Sequence, residues 1–189
     1  MFMSLRKLSF QQALYLINHG KSHHFPINFE GFPIGVNKLQ VFLSIAPLLE
    51  GKNYWKALME AYTMSDNLFE FRIDLIKSFL CKEPDKWALM KKSERSFLER
   101  LPSEISIYRG MTKSEYESGE FGVSWTLNRK VAEYFAFEYQ RNFNANQPKI
   151  IHELMVSKHS LHAYFSSRNE KEVVYIHEIP ENLKMILSL

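Results

Sequence analysis

The chain has 189 residues, 46% of them hydrophobic and 24% charged, with only 7 Gly and 7 Pro. That is the length of one domain, or of a small domain with a helical extension, and it excludes disordered, collagen-like and repeat classes. The net charge of +3 is uneven: residues 1–100 hold 14 Lys and Arg against 10 Asp and Glu, and residues 101–189 hold 10 against 11. The basic half reads as a solvated face or as a surface for an anionic partner such as RNA. The longest nearly apolar run, Val41 to Leu49, is broken by Ser44 and Pro47 and is far shorter than the ~20 residues of a membrane span, so no membrane partner is expected. No secretory apolar segment is readable near the N-terminus, and the one cysteine, Cys81, fits a reducing compartment. The expected location is the cytoplasm, or a host cytoplasm into which the protein is delivered.

In chain order, Ser9 followed by Ala13, Leu14, Leu16 and Ile17 and stopped by Gly20 predicts a capped helix. Residues 21–35, with Pro26 and Pro33, predict a loop. From Asn37 the spacing is helical, through Leu39, Phe42, Leu43 and Ile45, then Tyr54, Trp55, Leu58 and Tyr62, then Leu68, Phe71, Leu75, Ile76 and Leu80. Pro84-Asp85 opens a further helix carrying Trp87, Met90, Phe97 and Leu98, and Pro102 ends it. Lys52, Tyr54, Trp55, Lys56 and Tyr62 fit either a helix core or a surface that stacks single-stranded nucleic acid.

After Pro102 the period becomes two. Strands are predicted at Ile105 to Arg109, Val123 to Thr126, Lys149 to Val156, Leu161 to Phe165, Glu172 to Glu178 and Leu183 to Leu187, with one helix opened by Asn128 and running through Ala132, Phe135, Ala136 and Tyr139. The fold class is therefore α+β: a helical region over residues 1–100, then a mixed sheet over 101–189.

Three clusters carry residue types suited to chemistry. Tyr108-Arg109-Gly110 puts a guanidinium at a strand end, where its planar fork suits phosphate oxygens, beside a Gly that lets a ligand approach the backbone. Gly122-Val123-Ser124-Trp125-Thr126 is a strand with two hydroxyls on one side. Ser166-Ser167-Arg168-Asn169-Glu170-Lys171-Glu172 leads into an apolar strand and places both carboxylates on one face if strand geometry already holds there. Such a pair can stabilise a sugar cation and activate an acceptor. His152, His159 and His162, and His23-His24, lack an accompanying Cys and a helical i, i+4 pair, so no metal is expected.

Taken together, the three clusters resemble the signature of the mono-ADP-ribosyltransferases of the arginine-serine-glutamate class, the family of clostridial binary toxins and vertebrate ecto-transferases. The resemblance covers residues 101–180 and implies an ADP-ribosyltransferase core that uses NAD as co-substrate. It implies that Arg109 holds a phosphate and ribose of NAD, that Gly110 bonds the carboxamide, and that Tyr108, Trp125, Thr126 and Phe135 complete the NAD-binding set. Ser124 would orient Glu172, Glu172 would stabilise the ribose cation as nicotinamide leaves, and Glu170 would position or deprotonate the acceptor. Glu at 170 matches members that modify a protein arginine; RNA or DNA bases, modified by a toxin of a defence or toxin-antitoxin system, are the alternative acceptors. An inhibitor or antitoxin partner belongs to that picture. Two further alternatives are an NAD glycohydrolase and a catalytically inactive binding domain. Only fourteen residues separate Arg109 from Ser124, so the lid helices of larger members are missing or are supplied by residues 1–100.

Overall fold

The computed structural model describes residues 7–19, 37–66, 68–139, 146–166, 169–181 and 183–184. The predicted loop over 21–35, His23-His24, and Ser167 and Arg168 lie outside the described residues. The chain divides into two compact units, one formed by Met1–Asn67 with Cys81–Met90, the other by Leu68–Leu80 with Lys91–Leu189.

The first unit is helical. Ser9 opens α1 (Phe10–His19) through a reciprocal box: its hydroxyl accepts from the Gln12 backbone N–H at 3.3 Å, and its own N–H donates to Gln12 Oε1 at 2.9 Å. Asn37 caps α2 (Lys38–Ile45) by accepting from Leu39 N at 2.8 Å, and Pro47 sits in a 3₁₀ turn that follows. In α3 (Gly51–Thr63) the residues Tyr54, Trp55, Leu58, Ala61 and Tyr62 fall on one stripe at helical spacing, and all are buried. The Trp55 indole, 0% exposed, donates to the carbonyls of Glu83 and Pro84 and so ties the segment 81–90 to that stripe. The reading of Tyr54, Trp55 and Tyr62 as a stacking surface is thereby corrected, because burial leaves these rings no face for a base.

The helix expected from Pro84 to Leu98 divides into a 3₁₀ turn, Lys86–Leu89, and α5 (Lys92–Arg100). Asp85 takes a left-handed φ of 64° and Met90 and Lys91 are extended, so the helical path is interrupted twice. In the second unit, α4 (Arg72–Phe79) joins α5 and a five-stranded sheet made of β1 (Glu104–Thr112), β2 (Ser124–Thr126), β3 (Lys149–Ser157), β4 (Leu161–Phe165) and β5 (Glu172–Tyr175). α6 (Lys113–Ser118) lies between β1 and β2. α7 (Arg129–Glu133) follows β2 and runs into a π-helical turn, Tyr134–Glu138.

The strand order is β3-β1-β2-β5-β4, and every pair is antiparallel. A mixed sheet is thus corrected: residues 113–123 carry α6 and a loop that return the chain beside β1 in the opposite direction, with no crossover between parallel neighbours. The two edge strands, β3 and β4, are joined by nothing more than the turn Lys158–Ser160. Edges of a flat five-stranded sheet would stand about 19 Å apart, whereas a link of this length spans roughly 14 Å at most. The sheet is therefore curved, so that the end of β3 and the start of β4 lie within reach of this turn; Lys158 N, donating to Ser103 O at 2.9 Å, continues the β1–β3 pairing into it. α5 covers β4, with Phe97 stacked on Tyr164 at 4.3 Å between ring centroids.

A last strand at Leu183 to Leu187 is corrected where it is described: Leu183 and Lys184 are helical, both donating to the Pro180 carbonyl, and the rest lies outside the described residues. A short apolar run reads equally as strand or helix, and Pro180 favours the turn. Among the described residues no helix is long and apolar enough to cross a membrane.

Candidate active site

β1 and β2 pair at one register position, Tyr108 opposite Thr126. Where the pairing stops, Arg109 takes over. Its Nη1 donates to the Ser124 carbonyl at 2.7 Å, and its Nε donates to Glu115 Oε1 at 2.8 Å. A strand carbonyl lies in the plane of its sheet, so the guanidinium occupies the place where the two strands part. Register puts Arg109 on the face of its partner His152, while Tyr108, Thr126, Ser124 and Glu172 share the other face. The arginine reaches the serine through the backbone, from the opposite side of the sheet.

Ser124 and Glu172 lie 48 residues apart and meet because β2 and β5 are neighbours: the Ser124 hydroxyl donates to Glu172 Oε1 at 2.5 Å. Glu172 is 7% exposed, opposite Phe165 on β4, so its carboxylate is held in a place with little water. A serine hydroxyl that donates to one carboxylate oxygen fixes the rotamer as well as the charge.

The turn before β5 is anchored to β2. Thr126 Oγ1 donates to the Glu170 carbonyl at 2.7 Å and accepts from Asn128 N at 3.0 Å, and Leu127 N donates to the Lys171 carbonyl at 3.1 Å. Asn169 and Lys171 both have positive φ, 59° and 47°. Strand geometry therefore starts at Glu172 and does not reach back to Glu170, so the condition for two carboxylates alternating along one strand is not met. Glu170 is placed by the turn.

The other expected residues divide. Tyr108 donates its hydroxyl to Glu153 Oε1 at 3.2 Å across the β1–β3 pair. At Gly110 an added Cβ would stand 2.4 Å from the Ala132 carbonyl oxygen and 2.9 Å from the Ala136 Cβ. The missing side chain is thus needed for α7 and its π turn to pack on β1, a different reason from access for a ligand. Trp125 is 2% exposed, its indole donating to Gly122 O and its ring packed against Phe121, His152 and Tyr175, so it supports the site from within the core. Phe135 is half-buried against Tyr134 and Tyr139. His152 sits among Tyr116, Phe121 and Trp125, and burial first, then the neighbouring His177, pushes its pKa below the usual histidine value. Among the described residues no three His, Cys, Asp or Glu side chains gather as a metal would require.

Comparison of the chain with protein-family models, with curated proteins and with solved structures finds no match. The geometry therefore has to speak from its own residues. It brings Arg109, Ser124 and Glu172 into one hydrogen-bonded chain, and it adds a fourth member that the sequence reading passed over. Glu115, 8% exposed at its side chain, accepts from both Arg109 Nε and Gly122 N with the same oxygen. The signal was present as Thr112-Lys113-Ser114-Glu115, the spacing of a helix-opening box, and Thr112 Oγ1 does accept from Glu115 N. The Glu115 carboxylate turns inward to the arginine.

Proposed function

We propose that the chain is a mono-ADP-ribosyltransferase that cleaves NAD and transfers ADP-ribose to a macromolecular acceptor, a protein arginine side chain in the first instance. The observation that carries the reading is the 2.5 Å bond from Ser124 to Glu172, continued through the Ser124 carbonyl to Arg109. Three residues drawn from separate motifs are linked, the cation to the Ser124 carbonyl and the Ser124 hydroxyl to the carboxylate, which supports a reading in which a glycosidic bond is split beside a diphosphate.

Arg109 has five N–H donors; one goes to Glu115 and one to Ser124, which leaves others for phosphate oxygens. Glu172 would set a fixed negative charge against the positive charge that grows on the ribose as the bond to the pyridinium nitrogen lengthens and neutral nicotinamide departs. A preorganised carboxylate in a site poor in water is worth most against a charge present only in the transition state. Ser124 keeps that carboxylate aimed. Glu170, at the entrance to β5, would take the proton that the acceptor nitrogen loses as its new bond to the ribose carbon forms.

The test uses NAD labelled on the adenylate phosphate, cell lysate, and the purified chain beside its Glu172→Gln variant, with separate portions digested by protease and by nuclease. Label that depends on Glu172 and is released by protease supports the proposal. Release by nuclease keeps the chemistry and moves the acceptor to RNA or DNA. Nicotinamide release without label points to a glycohydrolase, and label that survives Glu172→Gln in folded protein removes the mechanism.

A further inference from the structure

Arg109 is held more firmly than a surface arginine at a strand end. Its side chain is 14% exposed and that of Glu115 8%, so the pair is largely withdrawn from water. One oxygen of Glu115 serves two donors, Arg109 Nε at 2.8 Å and Gly122 N at 2.9 Å. Gly122 closes the other side: a Cβ there would stand 2.4 Å from Arg109 Nη2 and 2.7 Å from Cζ. The backbone that carries this carboxylate is itself held, since Thr112 caps α6 through Glu115 N, and Ser118 Oγ donates to Glu115 O at 2.8 Å. The guanidinium is thus clamped between a carboxylate and a side-chain-free stretch of backbone, with Nε turned inward and the Nη edge directed to β2.

An arginine that only stabilised the fold would be served by the carboxylate alone. Here the clamp also fixes the segment that leads into Ser124, two residues beyond Gly122, so one oxygen registers the cation and the hydroxyl that orients Glu172. We infer that Glu115 is a positioning residue that presents the Nη edge of Arg109 to the diphosphate of the substrate. The inference rests on the proposed use of NAD for its substrate, and on the clamp alone for its geometry. Aspartate, shorter by one methylene, cannot reach both donors. Glutamine keeps an acceptor oxygen at the same reach and leaves the clamp closed.

The experiment measures KM and kcat for NAD in the whole chain and in Glu115→Ala, Glu115→Asp, Glu115→Gln, Arg109→Ala and the double variant Glu115→Ala with Arg109→Ala, with thermal melts to confirm folding. A parallel calorimetric titration with inorganic pyrophosphate reads the Arg109 site without turnover. Glu115→Ala and Glu115→Asp should raise KM by on the order of tenfold, the scale of one misplaced charge-assisted bond, and weaken pyrophosphate by a similar factor. Glu115→Gln should stay within a few-fold of wild type, and it keeps the test alive if the alanine variant does not fold. In the Arg109→Ala background the effect of Glu115→Ala on KM and on pyrophosphate binding should vanish, because Glu115 reaches the diphosphate through Arg109, while its hold on Gly122 and Ser124 is read in kcat; a merely structural role would give additive losses in KM and in pyrophosphate binding. Unchanged KM in folded Glu115→Asp, or additive losses in KM or pyrophosphate binding in the double variant, overturns the inference. Pyrophosphate binding that follows this pattern in a chain with no NAD turnover upholds the clamp and refutes the transferase. A wild type that neither binds pyrophosphate nor turns over NAD refutes both.

Discussion

Ser124 is the residue on which the site turns, since its hydroxyl touches Glu172 and its carbonyl touches Arg109. Replacing it by alanine removes the first contact and keeps the second, because the carbonyl belongs to the backbone. On the proposed cleavage of NAD, Ser124→Ala should therefore lower kcat by roughly 10- to 100-fold, the range expected when a preorganised group loses its partner, with KM for NAD within a few-fold of wild type. A KM effect larger than the kcat effect in steady-state kinetics would place the role of Ser124 in binding. The sequence made Arg109, Ser124 and Glu172 legible because each stands in a short run whose neighbours announce a strand. Glu115 stands in Lys-Ser-Glu-Tyr, which has the look of a solvated helix face, and only the close approach of α6 to Arg109 gives it a role. Glu170 was legible as a type and not as a geometry, because nothing in Glu-Lys-Glu reports that Lys171 adopts a left-handed φ of 47°.

Among the elements, α7 packs on the face of the sheet that carries Tyr108, Ser124 and Glu172. Ala132 and Ala136, one turn apart, are both buried against β1 at Gly110. The approach is so close that any Cβ at 110 must displace the helix backbone, since the nearest obstacle is a carbonyl oxygen 2.4 Å away and not the end of a flexible side chain. Gly110→Ala should destabilise the protein by about 1–3 kcal/mol, the cost of overpacking a well-filled interface. Differential scanning calorimetry checks this, and a melting temperature equal to that of wild type would mean that α7 yields freely. The strands β1 to β5 were readable from their period of two, with ends within a few residues of those observed. The helices α1, α2 and α3 were readable from their own period of about 3.6. What escaped the sequence was punctuation by backbone conformation: the left-handed Asp85 that divides one expected helix, the π turn at Tyr134–Glu138, and the turn at Pro180 where a strand was expected. Propensity is nearly silent on these, because each depends on one or two dihedral angles set by tertiary contacts.

For the molecule as a whole, the antiparallel order β3-β1-β2-β5-β4 could not be read from strand positions alone, because it depends on which strands pair across long separations. Its consequence is that β3 delivers His152 to the interior face, opposite Arg109 and among Tyr116, Phe121 and Trp125. Burial, reinforced by His177, holds the folded-state pKa of His152 below the ordinary value of 6.5. The folded protein thus prefers the neutral imidazole, and below that ordinary value the unfolded chain binds a proton that the folded one refuses. Stability from this group is fully present above pH about 6.5 and is lost as the pH falls through the lower folded-state pKa. The melting temperature should accordingly drop on acidification from pH 7.5 towards 5.5, and the drop should be smaller in His152→Gln, which has no imidazole to charge at that position. Carboxylates common to both proteins contribute alike, so the difference between the two slopes isolates the histidine. Parallel slopes would mean that His152 accepts its proton inside the folded ring cluster without penalty, and that the packing of Tyr116 and Phe121 over it opens on protonation.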